Sequence, residues 1–370
     1  MQQLPLIATS PQEKGKEKVY SIQVLRAIAA LLVVYMHSMT SRIALFTGVS
    51  YQSGLGYLSR FGAVGVDIFF IISGCIIVMI GQKYADKHQP HIFFLKRAYR
   101  IVSLYWPLSL LLLAASQFAL FQGLLSDLTW QRLFTSFFFV PLSSHGVYQA
   151  PIIAVGWTLS MEMFFYVVVA LCMYANPKKY LQYTVVVLLL VVLAGSLLAM
   201  IHSPLTYALS PIFLEFVFGI LIGVYSQKSP QRTKRPLLIV LGLLGFLLSI
   251  FLHHLGIANV NEILYGNLVW VRLVLWGIPS ALFVQGFLDL EAMSTIKMPT
   301  FLVRLGDASY SLYLIHTSFI TVLAILWRLL GIHAPDLFVL VSVVCSALVG
   351  YLFYFQIEKR IMKLQYRFVT

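Results

Sequence analysis

The chain has 370 residues, 60% of them hydrophobic and only 11% charged, with a net charge of +13 and a mean hydropathy of +0.87. A soluble globular protein carries nearer ~25% charged residues and no long apolar runs. The repeated runs here, each of about 20 residues, therefore exclude a soluble fold and indicate an all-α polytopic membrane protein.

Polar interruptions bracket ten apolar segments, near residues 21–41, 61–81, 98–121, 152–174, 180–201, 206–226, 236–255, 265–286, 308–330 and 336–357. About ten transmembrane helices are expected, forming one transmembrane domain over 21–358 between tails at 1–20 and 359–370. The first apolar stretch is long and contains Arg26 and His37, which fits an uncleaved first helix better than a signal peptide. Ten crossings put both termini on one side. With that alternation, twenty of the 26 Lys and Arg residues fall on the side of the termini, and only Arg42, Arg60 and Arg132 on the other. The positive-inside rule then makes both termini cytoplasmic. The excess charge is explained by topology and by membrane lipid, and gives no reason to invoke nucleic acid.

The outer segment from about 121 to 151 is amphipathic and rich in Trp, Phe and Tyr, a composition suited to a membrane interface or a partly buried lid. No internal repeat is apparent, which weakens a transporter built on inverted repeats. Cys75, Cys172 and Cys345 lie far apart inside apolar segments without metal-ligand spacing. They read as small hydrophobes, and no metal is expected.

Ionisable groups inside the spans carry the functional signal. Arg26, Asp67, Glu162 and Glu215 each cost roughly 2.5–3.5 kcal/mol at mid-membrane unless paired, protonated or hydrated. His37 follows Arg26 by eleven positions, about 16 Å of helix rise and within ~20° of the same direction. These two residues share a face at different depths. Alternation of the spans brings Asp67 and Glu162 to a depth near His37, and either carboxylate could orient its ring. Lys96, Arg97 and Arg100 stand at the cytoplasmic mouth of the third segment. The layout suggests a cationic entrance for an anionic donor and a histidine base beyond it. Arg272, seven residues in from the outer end of the eighth segment, is placed to meet a lipid headgroup or an anionic acceptor.

Plainer roles stand beside these. Lys96, Arg97 and Arg100 also serve as topology anchors, and Arg26 can snorkel. Asp67 suits an ion pair with Arg26 or a lysine, Glu215 a helix-to-helix contact, and His37 or His316 a hydrogen-bonded core position. Soluble-enzyme signatures such as G-x-S-x-G, H-E-x-x-H or a Walker A loop are missing. GDAS at 306–309 falls at a helix start, where Asp307 or Ser309 would cap.

Six motifs stand in order: LRAIAALLVVYMH, GAVGVDIFFIISG, FFLKRAYRIVSLYW, WTLSMEMFFY, EFVFGILIG and SYSLYLIH. From about Tyr20 to Glu358 the chain resembles acyltransferase family 3, integral membrane proteins that O-acylate extracellular or envelope polysaccharides. The resemblance is to the compact form without a C-terminal esterase-like domain. One departure is Ser103, where many relatives have proline. The resemblance implies transfer of an acyl group, acetyl by preference, from cytoplasmic acetyl-coenzyme A. The acceptor would be a sugar hydroxyl of an exopolysaccharide, an O-antigen or a lipid-linked oligosaccharide on the outer side. It implies His37 as catalytic base, with Glu162 and Asp67 in the catalytic layer. Arg26, Lys96, Arg97 and Arg100 would hold the coenzyme, and Trp157, Arg272 and His316 are expected near the acceptor. It further implies a multi-pass protein of the bacterial inner membrane, with a homo-oligomer possible. A proton-coupled exporter of a glycan or small metabolite is the competing reading, since its relay would use the same residue types.

Overall fold

The computed structural model describes residues 19–46, 58–118, 128–140, 143–144, 147–148, 150–199, 209–228, 236–252, 255–258, 268–293 and 297–368. They form helices α1 (Tyr20–Leu45), α2 (Val64–Asp86), α3 (Pro90–Ala115), α4 (Trp130–Phe138), α5 (Gly156–Ala175), α6 (Tyr180–Ala199), α7 (Phe213–Lys228) and α8 (Pro236–Phe251). Helix α9 runs Leu268–Ala292, α10 is Thr300–Asp307, and α11 is Ser309–Leu329. The last, α12, runs from Pro335 to Phe353 and continues through a π turn, Tyr354–Glu358, into Lys359–Phe368. Two residue pairs, Ser143–Ser144 and Val147–Tyr148, form the only β pairing among the described residues. Eight described helices are long and apolar enough to cross a membrane. The chain is an all-α polytopic membrane protein.

The packing is that of a bundle solvated by lipid. Along α12, Leu340, Val344, Leu348 and Leu352 recur every fourth residue and are exposed. Ser342, Ser346 and Gly350 recur likewise and are buried. Lipid tails are as apolar as leucine, so helices gain more by turning small residues inward, where backbones approach closely. A Cβ on Gly350 would stand 2.7 Å from Cα of Leu312 in α11. Another such seam joins α2 to α7 through Gly74 and Gly219. A Cβ on Gly219 would stand 2.0 Å from the Ile71 carbonyl oxygen.

Helix α1 is the axis of the assembly, contacting α2, α9, α10, α11 and α12. It has no cap residue of its own. Glu291, at the end of α9, instead accepts hydrogen bonds from the backbone N–H groups of Tyr20 (2.6 Å) and Ser21 (3.0 Å) and from Ser21 Oγ (2.5 Å). A carboxylate there satisfies otherwise orphaned donors and complements the helix dipole.

Several boundaries differ from the sequence expectation, and two of them bear on the site and the C-terminal end. Helix α3 begins at Pro90, eight residues early, because proline at the first helical position starts a helix rather than ending one. Residues 82–97, expected between the second and third apolar segments, are therefore largely helical, and Lys96, Arg97 and Arg100 lie two to three turns inside α3 instead of at its mouth. At the other end, α12 continues past residue 357 as an amphipathic helix. Of the outer segment, residues 121–127, 141–142, 145–146 and 149 lie outside the described residues. Its α4 is capped by Thr129, whose side chain accepts from the Arg132 N–H.

Candidate active site

Five helices line a partly open cavity. Helix α1 contributes Arg26, α2 Phe69, Phe70 and Ser73, and α3 Arg97, Arg100 and Ile101. Helix α5 adds Thr158, Glu162 and Tyr166, and α11 adds Ser309, Tyr310 and Tyr313. The α3 residues follow from helical spacing, since positions 97, 100 and 101 share one face. Lys96 points off that face and does not line the cavity.

Arg26 and Arg97 each have a partner in the cavity wall. Arg26 donates from Nε to Ser309 Oγ at 3.1 Å, and lies within electrostatic reach of Arg100, Glu162, Asp307 and Glu358. Ser309, expected as a helix cap, makes no capping bond and serves Arg26 instead. Arg97 lies 5.7 Å from the centroid of the Tyr166 ring. Opposite stands Glu162, whose Oε1 accepts from Ser73 Oγ at 3.0 Å and from the Tyr166 hydroxyl one turn along α5. Glu358 is swung inward by the π turn of α12, where Ser311 Oγ donates to its Oε2 at 2.5 Å. Three guanidiniums against a single lining carboxylate, Glu162, in a partly enclosed space suit a ligand with several negative charges. Arginine also matches phosphate geometry with paired donors.

Beyond the cavity wall lies a second station. Helices α1 and α11 run in the same direction, bringing Arg26 to Ser309 at one level and His37 to His316 further along. The two imidazole centroids are 5.1 Å apart, with planes tilted by 53°. Tyr313 sits between the levels, 5.8 Å from the His316 ring and 5.7 Å from that of Phe69. Its hydroxyl meets Thr158 Oγ1 at 2.9 Å, and Thr158 in turn donates to the Val155 carbonyl. Tyr313 and Thr158 both line the cavity and neither histidine does, so this hydrogen-bonded pair stands between the cavity and the histidines.

The expected layer of His37, Asp67 and Glu162 is not formed. Asp67 receives both Arg272 Nη2 (2.6 Å) and Nε (3.1 Å), on the other side of α2 from the cavity. Arg272 also donates to the Ile257 and Ala63 carbonyls and lies 4.5 Å from the Trp276 ring. It is buried on all sides, away from both lipid headgroups and the histidines. Glu215 faces the same pair and packs against Gly277. Depth alone placed Asp67 with His37, whereas the direction in which Asp67 leaves α2 places it with α7 and α9. Trp157 stands behind the cavity wall, edge-on to Phe70 at 6.3 Å. Sequence reasoning passed over Tyr166, although its i,i+4 spacing from Glu162 was readable. It also passed over Tyr310, Tyr313, Ser73 and Thr158, which look like ordinary helix residues. Glu358 carried no signal, because a π turn cannot be read from composition. No group of three His, Cys, Asp or Glu residues suited to a metal occurs among the described residues.

Comparison with known proteins agrees with this geometry. A family profile described as an acyltransferase domain, that of acyltransferase family 3, matches residues 19–355. The exopolysaccharide production protein ExoZ of Rhizobium meliloti (strain 1021) is 32% identical over 313 residues, covering 83% of this chain and 92% of that protein. No solved structure matches.

Proposed function

The chain belongs to acyltransferase family 3, and from that premise we propose that this membrane acyltransferase is an O-acetyltransferase of an exopolysaccharide or its lipid-linked precursor. The donor is acetyl-coenzyme A, arriving from the face where most lysines and arginines lie. The acceptor is a sugar hydroxyl presented from the opposite face, and the membrane is the bacterial inner membrane. The name of the similar Rhizobium protein supports exopolysaccharide as the destination. The observation that carries the reading is the pairing of an arginine-rich cavity with a histidine pair behind Tyr313 and Thr158.

Arg26, Arg97 and Arg100 hold the donor phosphates, and Ser309 fixes where Arg26 points. The thioester end reaches past Tyr313 toward His37. His37 takes the proton from the acceptor hydroxyl as its oxygen bonds to the acyl carbon. The carbon–sulfur bond then breaks, and His37 returns the proton to the departing thiolate, so that ester and free thiol are the products. General-base assistance of this kind contributes about 10²–10⁴-fold. Removing water from the site strengthens the charge interactions that it uses.

Donor binding tests the cavity's role. In titrations of acetyl-coenzyme A against purified protein, Arg97→Gln and Arg100→Gln are each expected to weaken binding by roughly 10-fold, about 1.4 kcal/mol as for a charge-assisted hydrogen bond. Lys96→Gln is expected to change it by less than about 2-fold, since Lys96 does not line the cavity. Equal effects at all three positions would mean that the basic residues act only through membrane orientation.

A further inference from the structure

His316 is the most completely buried titratable ring beside the proposed base, with no exposed surface. Its Nδ1 lies 3.1 Å from the Leu312 carbonyl oxygen, one turn back in α11. A carbonyl can only accept, so Nδ1 carries the hydrogen, which leaves Nε2 with an open lone pair. That nitrogen is buried and has no hydrogen-bond partner among the described residues. An orphaned buried acceptor of this kind costs about 1–3 kcal/mol, and such a group calls for a role.

His37 supplies one. Two imidazoles joined edge to edge by a hydrogen bond of roughly 2.9 Å have centroids about 5 Å apart, and these two stand at 5.1 Å. A turn of the His37 ring closes the bond. The carboxylates that could have oriented His37 are committed elsewhere, Asp67 to Arg272 and Glu162 to Ser73 and Tyr166. No carboxylate hydrogen-bonds to His37 among the described residues.

We propose that His316 is the positioning residue for His37, its Nε2 accepting the His37 N–H so that the other His37 nitrogen is presented to the acceptor hydroxyl as a base. The inference rests on the acetyl-transfer reading above. In the reaction, the hydroxyl proton moves to the free nitrogen of His37, and the bond to His316 steadies the imidazolium until the thiolate takes the proton back. His316 stays neutral throughout, since two charged rings at this distance repel. It thereby fills the part that a carboxylate plays in a Ser-His-Asp arrangement, without adding a charge to the membrane interior.

Two amide substitutions separate this role from a structural one. His316→Asn places its amide where Nδ1 was, keeping the Leu312 contact and losing the Nε2 acceptor. His316→Gln places an oxygen or nitrogen where Nε2 was. The assay is release of free thiol from acetyl-coenzyme A by protein in liposomes, with envelope saccharide de-O-acetylated by mild alkali as acceptor. His316→Asn should lower kcat by about 10–100-fold, the usual cost of losing an orienting partner, with the KM for acetyl-coenzyme A within about 2-fold because the donor cavity is intact. His316→Gln should recover most of that loss. The reverse order, or two variants equal to wild type, would overturn the proposal. A wild-type protein that releases no thiol would instead sink the acetyl-transfer reading itself. Acetyl-coenzyme A binding by each variant shows that it is folded. If His316→Asn fails to bind, kcat of His316→Gln decides, and a value as low as that of His37→Ala goes against the proposal.

Discussion

Arg272 and Asp67 show how a buried charge is accommodated inside a helix bundle. Each alone would be among the costliest side chains to place in lipid. Together they form a two-pronged ion pair, completed by two backbone carbonyls and an indole face. Neither residue lines the cavity, so their role is to fix α2 against α9. Removing one partner strands the other, which costs about 3–5 kcal/mol, whereas removing both is far less harmful. Asp67→Asn and Arg272→Met should therefore each lower the thermal midpoint of detergent-solubilised protein sharply. The double variant should regain at least half of the loss. Simple addition of the two losses would show that the residues act separately. Both residues were conspicuous in the sequence as intramembrane charges, but their pairing was not, because 205 positions separate them. His37 was legible for the same reason and its neighbour His316 was not recognised as such. A histidine's partner depends on how α1 and α11 are rotated, which hydropathy does not record.

At the level of the helices, lipid exposure inverts the usual logic of packing. Small residues make the seams and leucines face outward, as along α12. Nearly all the spans were readable because an apolar run of about 20 residues has few alternatives in a membrane. Ends were less legible. The start of α3 at Pro90 and the inward swing of Glu358 depend on local geometry, a proline in the first turn and a π turn, that periodicity averages away. The α2–α7 seam makes a direct test of the packing rule. Gly219→Val would thrust a side chain against the Ile71 carbonyl and the Gly74 Cα. Ser73, adjacent to Gly74, holds Glu162 at the cavity, so prising α2 from α7 also displaces the site. The variant is expected to lose more than about 3 kcal/mol, the upper end for overpacking, and to elute as aggregate on size exclusion. A monodisperse Gly219→Val protein with unchanged thermal midpoint would mean that the two helices are not in contact.

Across the whole molecule the arrangement is a passage with two stations on one helix. Arg26 belongs to the first and His37 to the second, about 16 Å apart along α1. Tyr313, hydrogen-bonded to Thr158, lies between them. On the proposed mechanism, this division would let a water-soluble donor and a carbohydrate acceptor approach from opposite faces and meet at one base, while the membrane stays sealed. The eleven-residue spacing of Arg26 and His37 already implied the two stations. The structure adds the wall between them, the second histidine beyond it, and the removal of Asp67 from the reacting group. The most direct test uses liposomes carrying the protein in a single orientation, with de-O-acetylated envelope saccharide sealed inside and acetyl-coenzyme A outside. With the face richer in lysine and arginine turned outward, free thiol should appear outside in step with acetylated saccharide inside. His37→Ala should abolish both while still binding acetyl-coenzyme A. Saccharide movement across the bilayer without thiol release, or undiminished acetylation by His37→Ala, would contradict the account.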